Sequence, residues 1–355
     1  MSGSAAAPRR AGGGGARSRQ RGSKRLGLFT RLVRYDDGQS AAEVYADALE
    51  QIESAERLGY DTAWVAQHHI DPAEGGLPSP LVFLANAAAR FDRIRLGTAI
   101  VTLGLEDPIR VAEDAAVLDT LSGGRLELGF GSGGSKSSFE LFGVAPEDKQ
   151  RVYAEKLAAI TAALDGAELV PGRPLHPPVP TLRERTWQAS FSVSGAERAG
   201  AAGAGLLLSR TQPRDPDVPL DVVQADLIRA YLDALPAAAT PRIGASRSVF
   251  VADDHDEAQR WAHRGALRFL DHLRTAGITG MASTVDEVLR DSYIGTPDQV
   301  AAQLSADTAV TAATDLIVQI HPIDPDQPAA LRSIELLATK VVPQLDRLLT
   351  ERVHP

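Results

Sequence analysis

Two adjacent histidines end an apolar run in the stretch DTAWVAQHHIDPAEGG (61–76), and they are the strongest candidates for chemistry in the chain. His68 and His69 follow the apolar segment directly, and an Asp-Pro turn with paired glycines comes next. Imidazole donates and accepts protons near neutral pH, so it suits general acid–base catalysis. For either residue alone, the alternative is a structural histidine that bonds a neighbouring loop.

A metal site is the weaker interpretation of this pair. Successive side chains of a strand point to opposite faces, so adjacent strand residues chelate one ion poorly. A metal site also needs further ligands. Asp71, Glu74 and His321 are available but form no spaced motif. We therefore predict no metal site.

Composition excludes several classes of protein. The chain has 355 residues, of which 44% are hydrophobic and 23% charged, as in soluble globular proteins. The absence of cysteine excludes disulfides, thiolate metal sites and a cysteine nucleophile. No apolar run approaches the ~20 residues of a membrane span. The net charge of −9 argues against a nucleic-acid-binding body. We expect a cytoplasmic protein without a membrane or nucleic-acid partner.

The amino-terminal segment differs from the rest of the chain. Residues 1–25 carry seven basic side chains and no acidic ones, and they are rich in Gly, Ala and Ser. Such a composition predicts a disordered basic tail. The Arg9-Arg10 pair is not followed by the apolar segment of an export signal. Residues 26–355 are predicted to form a single domain.

Strand-like and helical patterns alternate through this domain. The predicted strands are 26–31, 61–68, 94–103, 125–134, 186–193, 205–211, 242–252 and 314–322, and the predicted helices are 41–58, 80–90, 108–121, 150–165, 195–203, 221–234, 254–273, 284–305 and 326–349. Eight strand–helix units predict an α/β protein with a (β/α)8 TIM barrel, carrying loop and helical insertions at 135–150, 166–185 and 274–300. The competing doubly wound sheet normally has a glycine fingerprint after its first strand, and none is present.

The barrel gives the two histidines a common location. The carboxyl ends of the strands meet at one mouth, where barrel active sites lie. His68 shares the strand parity of Trp64, and His69 shares that of Gln67. Parity alone does not decide which of these two sets of side chains faces into the barrel. The candidates for substrate contacts at the mouth are Gln67, His69, Arg210 and His321.

Five segments of the chain follow one another in a known order. They are GYDTAWVAQHH (59–69), IRLGTAIVTL (94–103), DPIRVAEDAAVLDTLSGGRLELGFGSG (107–133), SFSVSGAERAGAAGAGLLLS (190–209) and GTPDQVAAQL (295–304). In these segments the chain resembles the bacterial luciferase-like monooxygenases, a family of flavin-using (β/α)8 barrels. It is most similar to an FMN-dependent subgroup whose substrates are not settled.

The resemblance implies a role for the first histidine of the pair. His68 matches the family's catalytic histidine, which in luciferases assists the formation and breakdown of a flavin C4a-oxygen adduct. Imidazole supplies this proton chemistry without a large pKa shift. Luciferases have Glu before this histidine, and here Gln67 stands in its place. The neutral amide is expected to hold the ring without stabilising imidazolium, so light emission is not implied.

The resemblance also implies where FMN binds. Its ring would rest beside the third strand against a small residue in a non-prolyl cis peptide, which Ala99-Ile100 matches. Its phosphate would lie at the short helix after the fifth strand, where free N–H groups attract anions. The matching residues there are Ser192, Ser194 and Gly195. An ordinary helix cap is the alternative for this segment.

The loop after the fourth strand departs from the family pattern. Luciferases have an arginine near the phosphate at this point, and Ser132 occupies its position. Gly131 and Gly133 would let backbone amides approach an anion. Lys136 or Arg210 would then supply the missing charge. A flexible loop is the alternative.

Together these residues predict a two-component monooxygenase. A separate NAD(P)H-dependent flavin reductase would supply reduced FMN, which with O2 oxygenates a small organic substrate through a C4a-(hydro)peroxyflavin. The alternatives are an F420-dependent hydride-transfer enzyme and a non-catalytic flavin-binding protein. The resemblance also implies a homodimer formed through helices near strands two and three. The sequence does not determine the substrate.

Overall fold

Short strands and longer helices alternate along the part of the chain that the computed structural model describes, residues 24–278 and 281–353. The strands are β1 Arg25–Thr30, β2 Thr62–Val65, β3 Arg95–Thr98, β4 Val101–Thr102, β5 Leu126–Gly131, β6 Thr186–Ala189, β7 Gly205–Leu208, β8 Ile243–Val251, β9 Ser292–Gly295 and β10 Asp315–Gln319. The helices are α1 Ala41–Leu58, α2 Pro80–Ala88, α3 Pro108–Leu121, α4 Lys136–Leu141, α5 Lys149–Leu164, α6 Val193–Ala201, α7 Leu220–Ala234, α8 His255–Thr275, α9 Val285–Leu289, α10 Pro297–Ala306, α11 Thr308–Ala312, α12 Gln327–Leu336 and α13 Val342–Val353.

Local sequence signals set the ends of the first helix. Ser40 and Glu43 form a capping box, in which the Ser40 hydroxyl accepts from the Glu43 N–H and the Glu43 carboxylate accepts from the Ser40 N–H. The helix ends at Gly59, whose φ of 83° lies in the left-handed region that glycine adopts without penalty. The helix thus ends just before β2. Its apolar face packs on the barrel.

The strands close into a ring of eight. All pairings in the ring are parallel, in the order β1-β2-β3-β5-β6-β7-β8-β10, and β10 pairs with both β8 and β1. The helices between the strands pack on the outside of this ring. The prediction of a (β/α)8 barrel is therefore confirmed.

Two tryptophans fill the interior of the barrel. Trp64 on β2 and Trp187 on β6 meet edge to face, with ring centroids 5.5 Å apart, and they pack with Leu207 and Ile317. Each indole occupies the space of a missing side chain on the next strand. A Cβ on Gly97 or Gly205 would lie 2.2 Å from the Cε3 atom of the adjacent tryptophan. The barrel is thus a packed core, and the tryptophans form a floor beneath its mouth.

Charged pairs close the amino-terminal end of the barrel. The Glu127 carboxylate accepts from Trp187 Nε1 at 2.6 Å and from Arg95 Nε at 2.5 Å. Arg25 pairs with Asp315 at 2.9 Å. Because buried charges persist only when paired, these contacts stabilise the sealed end and leave the opposite end for a site.

Several strands end earlier than the sequence pattern predicts. β2 ends at Val65, β7 at Leu208 and β10 at Gln319, so His68, Arg210 and His321 lie on the loops that follow. The apolar pattern continues past the last ladder hydrogen bond because the first loop residues are still buried. A strand predicted from its apolar pattern is therefore longer than the strand defined by backbone hydrogen bonds.

The third strand and the segment 284–305 also differ from the prediction. The third strand is interrupted at the Ala99–Ile100 bond and resumes as β4. The prediction of helix throughout 284–305 is wrong at its centre, where β9 pairs with residues Ser248–Val251 of β8. The end of the long strand β8 offers backbone hydrogen-bond partners to β9. Local sequence propensity does not reveal such a distant partner.

The predicted tail lies mostly outside the described residues, which begin at Lys24. Arg25 belongs to β1 and pairs with Asp315, so the predicted boundary at residue 25 is wrong by at least that residue. Within the described ranges, no helix combines the length and the apolarity that crossing a bilayer requires.

Candidate functional site

The neighbours of His68 show where it lies. His68 is on the loop after β2, and the charges of Arg31 and His321, which follow β1 and β10, act on it, so it lies among the strand ends at the mouth. The loop after β2 fixes its ring against Gly75, where a Cβ would lie 2.7 Å from His68 Cδ2. The His68 N–H also donates to the Leu77 carbonyl oxygen at 3.0 Å. The sequence prediction for His68 stays a prediction, but its placement suits it.

The second histidine packs against the residue that follows α4. The His69 ring lies on Phe142 with centroids 4.8 Å apart, and its Nε2 is buried without a hydrogen-bond partner among the described residues. Burial lowers the pKa of His69. The role of His69 as a substrate contact stays a prediction.

Gln67 joins two strand ends and does not hold the imidazole. Its Oε1 accepts from the Thr102 N–H at 2.7 Å, and its Nε2 donates to Glu106 Oε1 at 2.5 Å and to the Pro78 carbonyl at 3.2 Å. Both ends of the amide are thus occupied by the segments around β4. The hydrogen bonds of Gln67 do not include the His68 ring, so the expectation that its amide holds this ring is wrong. Its role as a substrate contact stays a prediction.

His68 is neutral at physiological pH. Burial lowers its pKa to about 2, and the positive charge of Arg31 and the neighbouring His321 and His69 act in the same direction. The Glu74 carboxylate lies 4.0 Å from His68 Nδ1 but does not offset these effects. The expectation of an imidazole without a large pKa shift is therefore wrong, because burial disfavours the charged ring and Arg31 adds to this effect.

An apolar platform lies at the end of β3, the strand that pairs with β2. The Ala99–Ile100 peptide bond is cis, as the resemblance implies, and both side chains are part-exposed above the tryptophan cluster. On the neighbouring strand, a Cβ at Gly131 would lie 2.8 Å from Ile100 Cγ1. The platform is small and apolar, which fits one face of a flat tricyclic ring.

The glycine-rich loop after β5 has structural reasons for its composition. Gly133 has a φ of 71°, and a Cβ there would lie 2.4 Å from Thr102 Cγ2. The Ser132 hydroxyl accepts a long hydrogen bond of 3.5 Å from Gln150 Nε2. Lys136 is 83% exposed and pairs with Glu140 at 3.7 Å. The predicted use of Lys136 as a phosphate charge has no support in this geometry.

Three serine hydroxyls surround the start of α6. Ser192 is the N-cap residue, and its Oγ accepts from the Gly195 N–H at 3.2 Å. Its hydroxyl lies 3.3 Å from that of Ser194 and 3.4 Å from that of Ser190. A Cβ at Gly195 would lie 2.0 Å from Ser190 Oγ, so glycine is needed for this arrangement. The exposed hydroxyls and the helix N-terminus fit a phosphate.

Ser190 is a candidate that the sequence prediction missed. Its Oγ accepts from the Ser192 N–H at 3.1 Å and donates to the Ser192 carbonyl at 3.0 Å. The alternating serines of SFSVS (190–194) are the available signal, since alternation places hydroxyls on one side of an extended segment.

His321 lies at the same mouth with one ring nitrogen free. Its Nδ1 is 2.7 Å from Asp324 Oδ2, while its Nε2 is buried and has no partner among the described residues. Burial, with the charges of Arg31 and Arg210, lowers the pKa of His321 to about 4. The carboxylate holds the proton on Nδ1, so Nε2 presents a lone pair.

Two arginines complete this side of the mouth. The sequence prediction missed Arg31, which follows β1 and donates from Nε and from a terminal nitrogen to the Glu74 carbonyl oxygen at 3.0 and 2.5 Å. Burial and the charge of Arg31 lower the pKa of Arg210 to about 9. The sequence offered a signal for Arg31, since it is the last residue of the first predicted strand and the strand ends converge at the mouth.

Metal ligands are not grouped at this site. In the described ranges, no group of at least three His, Cys, Asp or Glu side chains could hold an ion. The arrangement instead offers an apolar platform, neutral imidazoles, guanidinium groups and a hydroxyl-lined helix N-terminus. These suit a flat organic cofactor with an anionic arm.

Comparisons with known proteins agree with this geometry. The family model described as "Luciferase-like monooxygenase" matches residues 25–314. The chain is 32% identical over 329 residues to 4-hydroxyprotoasukamycin monooxygenase of Streptomyces nodosus subsp. asukaensis, covering 84% of this chain and 86% of that protein. It is 31% identical over 116 residues to the oxygenase component of flavin-dependent trigonelline monooxygenase of Acinetobacter baylyi, covering 33% of this chain and 32% of that protein.

Two solved structures share the fold. Monooxygenase RslO1 from Streptomyces bottropensis has a TM-score of 0.76 at 24% identity and covers 90% of this chain and 99% of its own. The coenzyme F420 dependent tetrahydromethanopterin reductase from Methanopyrus kandleri has a TM-score of 0.66 at 18% identity and covers 91% of this chain and 99% of its own. At these identities the likeness shows the barrel architecture alone.

Proposed function

Because the chain belongs to the luciferase-like monooxygenase family, we propose that it is the oxygenase component of a two-component, FMN-dependent monooxygenase that oxygenates a small organic substrate. The observation that carries this proposal is the apolar Ala99–Ile100 platform at the end of β3, next to the strand that His68 follows. A flat flavin ring needs such an apolar surface, and proton transfer needs a group next to it.

The residues have separate roles in this proposal. Ala99 and Ile100 support one face of the flavin ring, and the hydroxyls of Ser190, Ser192 and Ser194 with the N-terminus of α6 bind the phosphate. When bound in its reduced form, FMN would supply the activation of molecular oxygen. The β3, β5 and β6 ends that carry these groups are neighbours in the ring, so one extended ligand reaches from platform to helix.

His68 acts as a neutral imidazole beside the ring. In this state one ring nitrogen donates a hydrogen bond and the other accepts one, so the side chain relays a proton without carrying net charge. Burial is the main reason for the low pKa of His68, and the charge of Arg31 adds to it. An anion in the mouth offsets the charge of Arg31 and so raises the pKa of His68 in part.

A separate NAD(P)H-dependent flavin reductase is the proposed partner. The sequence carries no glycine fingerprint of a nicotinamide-binding unit after its first strand. The oxygenase-component relative supports this division of labour. We also propose a homodimer through α2 and α3, where Val82, Val117 and Leu121 expose 72%, 47% and 65% of their surface. Light scattering after size exclusion tests the dimer, and a monomeric mass contradicts it.

Oxygen uptake with reduced FMN tests the proposed function. We expect the protein to bind reduced FMN, and to consume O2 at a rate that falls in His68→Ala and not in His69→Ala. The matched assay replaces FMN with reduced F420. Hydride transfer from F420 without oxygen uptake would support the alternative enzyme. Binding of FMN without any change in its reaction with O2 would support a non-catalytic flavin-binding protein.

A further inference from the structure

One guanidinium at the mouth lacks a counter-ion. Arg210 makes no hydrogen bond or ion pair within the described ranges, and the carboxylates that act on it are Asp324 and Asp291. Both are already engaged, because Asp324 lies 2.7 Å from His321 Nδ1 and Asp291 pairs with Arg214 at 2.6 Å. The charge of Arg210 is therefore available to a ligand.

Arg31 adds a second charge that no carboxylate binds directly. Its hydrogen bonds go to the carbonyl oxygen of Glu74, a neutral acceptor. The Asp324 and Glu74 carboxylates act on Arg31 only through space. An anion at the mouth would thus meet two guanidiniums, and guanidinium is the side chain best matched to a planar oxygen anion.

His321 supplies independent evidence that a ligand belongs here. It is 4% exposed, and its Nε2 is a buried polar atom without a partner. Buried polar atoms in native proteins nearly always have a partner, so an unpaired one calls for a bound group. The Asp324 contact fixes the ring, and the Phe269 ring packs on it with centroids 5.5 Å apart.

Two of these groups lie across the barrel from the proposed phosphate site, and the third borders it. The platform and the serine hydroxyls belong to the ends of β3, β4, β5 and β6. Arg31 and His321 follow β1 and β10, which lie across the ring from β6 and β5, and His68 follows β2, between β1 and β3. Arg210 follows β7, the neighbour of β6. A substrate held by this cluster would reach toward His68 and the platform.

We propose that Arg31, Arg210 and His321 form a subsite for a carboxylate of the substrate, so that the enzyme acts on small organic acids. The inference rests on the proposed function, since it assigns a substrate class to the same mouth. The two guanidiniums donate to the carboxylate oxygens. His321 takes up a proton on Nε2 as the carboxylate binds and donates it as a third hydrogen bond, with its Nδ1–H still bonded to Asp324.

Charge balance around His321 explains the proton uptake. In the free protein, burial and the positive charges keep the ring neutral. A bound carboxylate offsets those charges, so the charged imidazole becomes favourable. The charged or titratable groups that face His321 or its carboxylate partner are Asp324, Arg31, Arg210, His68 and Arg268.

Benzoate and benzamide test the subsite without flavin. They have nearly the same shape, and only benzoate carries a charge. We expect calorimetric titration of the full-length protein to show benzoate binding about 10- to 100-fold more tightly than benzamide, as for a charge-assisted hydrogen bond. Arg210→Gln removes most of this difference, and the exposed Arg229→Gln, on α7, retains it. Equal affinities for benzoate and benzamide in the wild type, or no binding of benzoate, overturn the proposal.

Proton uptake separates the role of His321 from a merely structural one. Titrations with benzoate near pH 7 in buffers of different ionisation enthalpy report the protons taken up on binding. We expect uptake in the wild type and in the exposed His263→Gln, and its loss in His321→Gln. Uptake that persists unchanged in His321→Gln contradicts the assignment of the proton to this ring. Circular dichroism and melting curves confirm that each variant is folded.

The phosphate of FMN is the other source of an anion. Titration with oxidised FMN, alone and after saturation with benzoate, distinguishes the two. We expect both ligands to bind together and Arg210→Gln to leave the affinity for FMN within about two-fold, well below the effect of a lost charged contact. Mutual exclusion, with an equal loss of both affinities in Arg210→Gln, would assign the cluster to the flavin phosphate and overturn the proposal. The monooxygenase function is decided separately, by oxygen uptake with reduced FMN.

Discussion

The imidazole of His68 lies directly on the backbone of Gly75, with no room for a side chain between them. A Cβ at position 75 would be 2.7 Å from His68 Cδ2 and 2.9 Å from the Arg31 carbonyl oxygen. Gly75, the first glycine of the DPAEGG segment (71–76), therefore sets the distance between the β2 loop and the end of the first strand. Gly75 has no side chain, and its backbone positions the proposed catalytic histidine.

Gly75→Ala is predicted to displace His68 and slow the reaction. The new methyl group pushes the imidazole away, and a misplacement of this order costs about 100-fold in rate. Oxygen uptake with saturating reduced FMN measures the effect. Gly134→Ala is the control, because its Cβ would meet nothing within 4 Å. Equal rates in the two variants would show that the Gly75 contact does not position the imidazole.

Acid is predicted to destabilise the protein through its buried mouth histidines. The pKa of His321 is about 4 in the folded protein against 6.5 as its ordinary value, so the unfolded chain binds more protons between these limits. Stability therefore falls as pH drops from about 6.5 to 4, by up to about 1.4 kcal/mol per pH unit for this group. Urea unfolding at pH 7, 6 and 5 measures the slope.

His321→Gln is expected to reduce this pH slope, because glutamine does not titrate. The His263→Gln variant is the control and is expected to keep the wild-type slope, since His263 is exposed and its replacement removes no buried imidazole. Parallel stability curves for the wild type and His321→Gln would contradict the predicted coupling.

Arg247→Met is predicted to destabilise the protein strongly. Arg247 is fully buried, and its Nε lies 2.7 Å from Asp307 Oδ2 while a terminal nitrogen donates to Gln224 Oε1 at 2.9 Å. Its removal leaves the Asp307 charge buried without its partner, at a cost of about 3–5 kcal/mol. Chemical denaturation measures this loss. The control Arg229→Met breaks an exposed pair with Asp226 and is expected to cost about 0–1 kcal/mol. Similar losses of unfolding free energy in both variants would show that the buried pair contributes no more than the exposed one.

Ser192→Ala is predicted to weaken both the helix and FMN binding. The N-cap hydroxyl that accepts from the Gly195 N–H is lost, at about 1 kcal/mol of stability. The phosphate also loses a hydroxyl contact, so we expect about 10-fold weaker FMN binding by fluorescence titration. Thr284→Ala removes the comparable cap of α9, 3.2 Å from the Glu287 N–H, and should leave FMN affinity unchanged. Unchanged FMN affinity in Ser192→Ala would reduce Ser192 to a plain helix cap.

The barrel was predictable because its signals are local. Capping residues such as Ser40 and Glu43, the stop at Gly59 and the apolar runs of the strands each act within one turn or one strand. β9 was not predictable in the same way, since its partner is the end of β8, more than 40 residues earlier in the chain. The candidate site shows the same division. His68 and the Ala99–Ile100 bond follow from a matched motif, whereas Arg31 and Ser190 gain meaning only from their neighbours.

The sequence by itself determined the order of strands and helices, the absence of cysteine chemistry and the family, because these depend on residue type and spacing along the chain. Only the tertiary structure decided the surroundings of the two histidines, since both lie on the loop after β2, where strand parity no longer applies. It also decided the charge state of the mouth. Arg31, Arg210 and His321 are far apart in sequence, and their mutual effect on pKa arises only where β1, β7 and β10 converge.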